Sequence, residues 1–415
     1  MSAVHRHARE YYDSPDANRK NEKHHQALKM HPKVSVIMAT YNHGPYVAEA
    51  IHSVLSQDFT DFEFIIADDG STDDTREVVA SIEDARISFY PNVVNRGACI
   101  VTNELIGHCT GEYIALLNSD DRWLPGKLRR QVRLLDERAE VGAVFGRARF
   151  IDRDGVPIPA SNLHFGTVFD QENRTRGEWL RRFFYLGNCL CHPTIMVRRS
   201  VYAHLGKFNN RYRQLPDLDM WIRLVKHYDL HVMDSCEIDF RIMPGENASS
   251  QTRANAVRTM NEHYLIAEHF FEEVSADLLR EGFHDQLWVK HVPSDVHLEI
   301  EKALLYRNEA PALRHAYALV GMSRLNALLS DETAASTLLN EYRIGDGVFQ
   351  DWSSKIDTLR PVWPDDEPPP QPLSLKPVEE VLLAPPPDPD LVSMTPTIAL
   401  ATEIIRRMRG KYLGS

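Results

Sequence analysis

No apolar run in this 415-residue chain is long enough to cross a bilayer, and no pattern pairs its cysteines. The five cysteines, Cys99, Cys109, Cys189, Cys191 and Cys236, are odd in number and lack a spacing framework, which excludes a disulfide scaffold. Cys189-Leu190-Cys191 is too tight for a zinc knuckle and has no second pair. Thiols so arranged fit a reducing, cytoplasmic setting. Positive charge is scarce: Lys and Arg number 47 against 59 Asp and Glu, a net charge of −12. A nucleic-acid backbone is therefore not an expected partner. The first strand–helix turn has Tyr41-Asn42-His43-Gly44-Pro45 where a dinucleotide fold needs G-x-G-x-x-G, and the lysine-containing phosphate loop of many nucleotidyltransferases is missing too. Met1 to Pro32 has no apolar core of a secretory signal, and no Ser-His-Asp order suggests a hydrolase.

What is present is ordinary globular composition, 43% hydrophobic and 26% charged. Residues 1–32 are polar and aperiodic, and are expected to be a disordered leader. From Lys33 the pattern alternates sharply. Short β-branched runs at Val34–Met38, Phe62–Ile66, Ile87–Tyr90, Tyr113–Leu117 and Val141–Phe145 are separated by segments with apolar residues at helical spacing. This predicts an α/β domain, a mostly parallel sheet with helices on both faces, over 33–250. Residues 251–345 carry Leu, Ala and Glu at helix-like spacing and predict a helical appendage. Residues 346–396, proline-rich from Pro361, predict an extended linker. Residues 397–415 combine Ile404, Ile405 and Met408 with Arg406, Arg407 and Arg409, the pattern of a basic amphipathic helix. Such a helix would dock on the inner face of a membrane or on a protein partner; the sequence leaves the oligomeric state open.

Three acidic clusters fall where this fold reverses the chain: Asp68-Asp69-Gly70-Ser71-Thr72-Asp73, Asn118-Ser119-Asp120-Asp121, and Pro216-Asp217-Leu218-Asp219. The first two end buried strands, and ligands of open α/β sheets bind outside those carboxyl ends. Adjacent carboxylates there are costly unless a positive charge faces them, and a divalent ion bridging to a phosphorylated ligand would supply it.

These clusters belong to an ordered series that resembles family 2 glycosyltransferases. It begins with Val34-Ser35-Val36-Ile37-Met38-Ala39-Thr40-Tyr41-Asn42 and Ser53-Val54-Leu55-Ser56-Gln57. Asp68 to Asp73, Asn95-Arg96-Gly97, Gly111-Glu112-Tyr113-Ile114 and Asn118 to Asp121 follow in the same order. His192-Pro193-Thr194 and Asp217-Leu218-Asp219-Met220-Trp221-Ile222-Arg223-Leu224 complete it. The likeness spans Lys33 to Ser250. It implies a GT-A fold that transfers a sugar, with inversion, from a nucleoside-diphosphate sugar (a UDP-sugar first) to a hydroxyl of a glycan or glycoconjugate. On that basis Tyr41 lies against the nucleobase, with Thr40, Arg96 and Asn118 beside the nucleotide. Asp69 accepts a base N–H, and Ser119 approaches the ribose. Asp120 holds Mg²⁺ or Mn²⁺, with Asp121 as its partner or a water-mediated ligand. Asp217 is the general base.

Departures are specific. Pro216 replaces the Glu that commonly precedes the base, which keeps Asp219 as an alternative. Met243 stands where many members carry a His, so Arg241 is a candidate source of positive charge. Thr102 replaces a frequent Arg, and Asn118 replaces the first Asp of its motif. These changes motivate a second expectation, a catalytically silent nucleotide-sugar or glycan-binding module that scaffolds other transferases.

Overall fold

The computed structural model describes residues 31–163, 165–243, 252–307 and 314–356. Nearly all of the leader, the proline-rich segment from Pro361 and the basic amphipathic segment 397–415 therefore lie outside the described residues.

The chain opens with β1 (Val34–Thr40), α1 (Gly44–Leu55), β2 (Phe62–Asp68), α2 (Thr75–Ala80), β3 (Ile87–Pro91), α3 (Ala98–His108) and β4 (Tyr113–Leu116). These strands pair in parallel in the order β3-β2-β1-β4. Their side chains alternate between two cores. Val34, Val36 and Met38 face one side with Val47, Ile51 and Val54 of α1. Ile37, Ile65, Ile114 and Leu116 face the other, with Val101 and Leu105 of α3. A strand buried on both faces reads as a continuous apolar run, and helix-spaced residues between such runs become the covering layers.

The second half is mixed. It contains β5 (Arg122–Trp123), α4 (Lys127–Glu137), β6 (Val141–Ile151), β7 (Pro157–Ile158), α5 (Arg176–Leu186), β8 (Met196–Arg198), α6 (Arg199–Leu205), α7 (Pro216–His227) and β9 (Asp229–Arg241). Strand β8 joins β4 to β6 by antiparallel pairing, β9 lies parallel to β6, and β5 closes on β9 antiparallel. The alternation predicts the parallel half and the helices on both faces. It does not predict the antiparallel insertion of β8.

The helical region follows as α8 (Arg253–His269), α9 (Ala276–Phe283), α10 (Asp295–Leu305), α11 (Arg314–Leu329), α12 (Glu332–Glu341) and α13 (Asp346–Ser353). Phe184 of α5 is its anchor. That ring meets Phe270, Phe271, Phe283, Tyr306 and Tyr317 at centroid distances of 4.5 to 5.8 Å. Tyr317 also donates to the Phe184 carbonyl at 2.7 Å. The region thus shares the larger core of the sheet domain and keeps a small core of its own around Ile300, Leu304 and Leu338. Helix α13 lies wholly beyond residue 345, where the linker is expected to begin. Its Val348, Phe349 and Trp352 pack on that small core, and apolar contact of this kind sustains a helix. Among the described residues no helix is long and apolar enough to cross a membrane.

Candidate active site

The loops after β1, β2 and β4 converge at one end of the sheet. Asp68 and Asp69 turn opposite ways. Asp68 is fully buried and serves its own loop, accepting from the backbone of Gly70 and Ser71 and from Arg76 Nε at 2.6 Å. Asp69 reaches across to the start of α3, where Oδ1 accepts from Arg96 N–H and Oδ2 from Gly97 N–H, both at 2.8 Å. Gly70 makes the approach possible. Its φ is +81°, and an added Cβ would stand 2.6 Å from the backbone of Val94 and Asn95. The Arg96 guanidinium is held to Glu104 at 2.7 Å and to Asn92 at 3.1 Å.

The first loop is tied to the second. Asn42 N–H donates to Ser71 Oγ at 2.9 Å, and Thr72 N–H to Asn42 Oδ1 at 2.8 Å. Tyr41 beside it is 42% exposed. Thr40 ends β1, buried at 2% exposure, and its Oγ1 has no hydrogen-bond partner, nor does Asp68 Oδ1. Buried polar atoms without partners are rare and ask for a reason, such as a ligand.

Four residues after β4 form the second side. Ser119 Oγ shares a hydrogen bond of 2.7 Å with His43 Nδ1, which joins this turn to the first loop. Asp121 has both oxygens engaged, one by Arg241 N–H at 2.8 Å and one by Asn118 Nδ2 at 3.1 Å. Burial pushes the Asp120 carboxyl above the ordinary range, while nearby His43 and Arg241 draw it back. Burial, reinforced by the Asp120 charge, holds Asp121 well above that range. The two acids therefore resist full ionisation together.

Arg241 underlies this turn as a clamp. Its guanidinium donates to the carbonyls of Asp120, Asp152 and Arg153 at 2.8 to 3.1 Å, to Glu49 at 2.5 Å, and lies over the Tyr46 ring. At 2% exposure it holds backbone in place, and its charge acts on the site through Asp120 and Asp121, whose carboxyls it draws down. Met243 is buried in the core at 1% exposure. His192 is likewise a core ring, packed on Phe208 and Trp221 and pushed down to about 4 by burial.

The third cluster opens α7. Pro216 takes the first helical turn, where its missing N–H and fixed φ suit the helix. Asp217 accepts from Leu218 N–H at 2.8 Å and from Asn188 Nδ2 at 2.5 Å. Burial pushes its carboxyl up to about 6, against the lowering effect of those hydrogen bonds. Asp219 is instead ion-paired with Arg223 four residues on, at 2.7 Å. Trp221 is fully buried in the core. Cys191 is buried between the second and third clusters, its thiol pushed up by burial and by the carboxylates of Asp121 and Asp217.

Thr40, Tyr41, Asp69, Arg96, Asn118, Ser119, Asp120 and Asp121 lie on the loops after β1, β2, β3 and β4 or at their strand ends, while Asp217 opens α7 with Cys191 between it and Asp121. Asn188 and His43 complete the site without an acidic motif to mark them. The only sequence sign of Asn188 is the Gly187 that ends α5, with φ at +68°.

The description Glycosyl transferase family 2 matches residues 35–206. TuaG of Bacillus subtilis, described as a teichuronic acid biosynthesis glycosyltransferase, is 31% identical over 226 residues, 54% of this chain and 84% of TuaG. WcaA of Escherichia coli, described as a colanic acid biosynthesis glycosyl transferase, is 40% identical over 207 residues, 48% of this chain and 69% of WcaA. The crystal structure of TarS residues 1–349 of S. aureus superposes with a TM-score of 0.47 at 18% identity, over 78% of this chain and 92% of that one.

Proposed function

The chain belongs to glycosyltransferase family 2, and from that membership we propose that it is a metal-dependent inverting transferase moving a sugar from a nucleoside-diphosphate sugar to a glycan or glycoconjugate hydroxyl. A UDP-sugar is the first candidate donor. The observation that carries the proposal is Asp217, a half-buried carboxylate held by Asn188 at 2.5 Å, pushed up to about 6 by burial, with Cys191 between it and Asp121. A base poised near the working pH takes a proton efficiently.

On this proposal the nucleotide occupies the side built by Thr40, Tyr41, Asp69, Arg96, Asn118 and Ser119. A carboxylate oxygen accepts more than one hydrogen bond, so Asp69 can read a base N–H while anchoring Arg96 and Gly97. Among the described residues no group of three or more His, Cys, Asp or Glu could by itself hold a metal. Mg²⁺ and Mn²⁺ suit such a donor set, since Mg²⁺ in nucleotide sites takes one or two carboxylates plus substrate phosphates and water. Asp120 would hold the ion, and Asp121 would orient the turn. When bound, that ion neutralises the charge developing on the departing diphosphate. Asp217 removes the proton of the acceptor hydroxyl as its oxygen bonds to the anomeric carbon. The bond from that carbon to the diphosphate breaks on the opposite face, and the electron pair leaves with the diphosphate.

Hydrolysis and thermal-shift assays with UDP-glucose, UDP-GlcNAc and GDP-mannose, with and without Mn²⁺, test this. Turnover and stabilisation that both require the cation are expected. Stabilisation without turnover of any donor, even with added glycan acceptors, would leave a binding module in place of an enzyme.

A further inference from the structure

Helix α7 starts without a side-chain cap of its own. Its N-cap is Leu215, whose side chain offers no acceptor. Helix starts leave backbone N–H groups that need partners, ordinarily supplied by Ser, Thr, Asp or Asn at the N-cap. Glu262 of α8, 47 residues beyond Leu215, takes the N-cap amide and the two amides of the loop before it. Glu262 Oε1 accepts from Arg213 N–H at 2.9 Å, and Oε2 from the N–H groups of Gln214 and Leu215, both at 2.8 Å. Only 3% of Glu262 is exposed. A buried carboxylate is costly unless it is hydrogen-bonded, and three backbone donors meet this one.

The same loop is pinned from its other side. Asn103 of α3 donates to Phe208 carbonyl at 2.8 Å and accepts from Phe208 N–H at 3.0 Å. The segment leading into α7 is thus fixed between the sheet domain and the helical region. Asp217 stands two residues beyond the last amide that Glu262 holds.

We infer that Glu262 is a positioning residue for the reaction: the helical region supplies the anchor that aims Asp217 at the acceptor hydroxyl. The inference rests on Asp217 being the base. A helix that only stabilised the domain could do so through its apolar face; a buried carboxylate on the three amides just before Asp217 fixes direction as well. Displacing a reacting group by about 1 Å can cost about 10²-fold in rate. Among the described residues the hydrogen bonds of Glu262 go to Arg213, Gln214 and Leu215 and to none of the donor-side residues, so donor affinity should not respond.

The test uses the full chain with Mn²⁺ and whichever of UDP-glucose, UDP-GlcNAc and GDP-mannose it hydrolyses fastest. Glu262→Gln keeps the side-chain volume and one acceptor oxygen; Glu262→Ala removes all acceptors. We expect kcat to fall progressively, by about 10²-fold for Ala. Donor KM and nucleotide-induced stabilisation should stay unchanged. Should Ala not fold, Gln decides by the same split between kcat and KM. A kcat within about threefold of the parent, or a loss carried by KM, overturns the inference. Asp217→Asn run alongside separates the two claims. Full turnover in that variant removes the base assignment. A silent Asp217→Asn beside fully active Glu262 variants removes only the role of Glu262.

Discussion

Asn188 Nδ2 stands 2.5 Å from Asp217 Oδ2, and this contact tempers the proton affinity of the carboxyl proposed as the base. A donor to a carboxylate stabilises its ionised form. Removing it in Asn188→Ala should raise the Asp217 pKa above about 6. A base acts only when deprotonated, so activity is full above that pKa and falls below it. The acid limb of the kcat/KM profile is therefore expected to move to higher pH. An unmoved limb would show that Asn188 has no hold on the base.

Asp217→Asn should lose turnover by about 10²- to 10⁴-fold while still binding nucleotide. The same substitution has a stability consequence of opposite sense. The folded chain keeps a proton on Asp217 up to about 6, above the value of an unfolded aspartate. Asp217 therefore costs the fold stability as pH rises from about 4 to 6, and that cost persists above it. The Asn variant should melt higher than the parent at pH 8 and gain nothing at pH 4, where Asp217 is itself protonated.

Much of this site was legible because strand ends and acidic clusters coincide. Val34–Thr40, Phe62–Asp68 and Tyr113–Leu116 are apolar on both faces, and each ends at polar residues that must face a ligand or a turn. Strand β9 was not legible. Its 13 residues include Glu237 and Asp239, buried beside arginines from distant elements: Arg130 pairs with Glu237, and Arg122 and Arg149 with Asp239. Glu262 was hidden likewise. In the run Asn261-Glu262-His263 it reads as one more solvated helix residue, and only the fold turns it toward Arg213, Gln214 and Leu215. Charges satisfied across long sequence distances leave no local pattern.

Arg241 and Asp120 make a separable pair of predictions. Arg241→Ala removes one donor from the Asp120, Asp152 and Arg153 carbonyls and from Glu49, which keeps Arg122, and should destabilise the protein by about 1–3 kcal/mol in denaturant titration. Arg241→Lys should recover little, because an ammonium lacks the planar fork that reaches these acceptors together. Asp120→Ala relieves a crowded acidic pair and should not lower the melting temperature. It should abolish the part of UDP-induced stabilisation that depends on Mn²⁺. Retention of that dependence would move the ion elsewhere.

Thr40 gives the sharpest contrast between fold and function. Its hydroxyl is buried at the end of β1 with no partner, and such a group costs about 1–3 kcal/mol. Valine has nearly the same shape and strong β propensity, so Thr40→Val should leave the unliganded protein as stable as before or more so. If the hydroxyl awaits a nucleotide, the same change weakens UDP binding by about 1 kcal/mol, about fivefold in Kd by calorimetry. Stability and affinity would then move in opposite directions from a single atom exchange. A valine variant that loses stability and keeps its affinity would instead mark Thr40 Oγ1 as part of the fold alone.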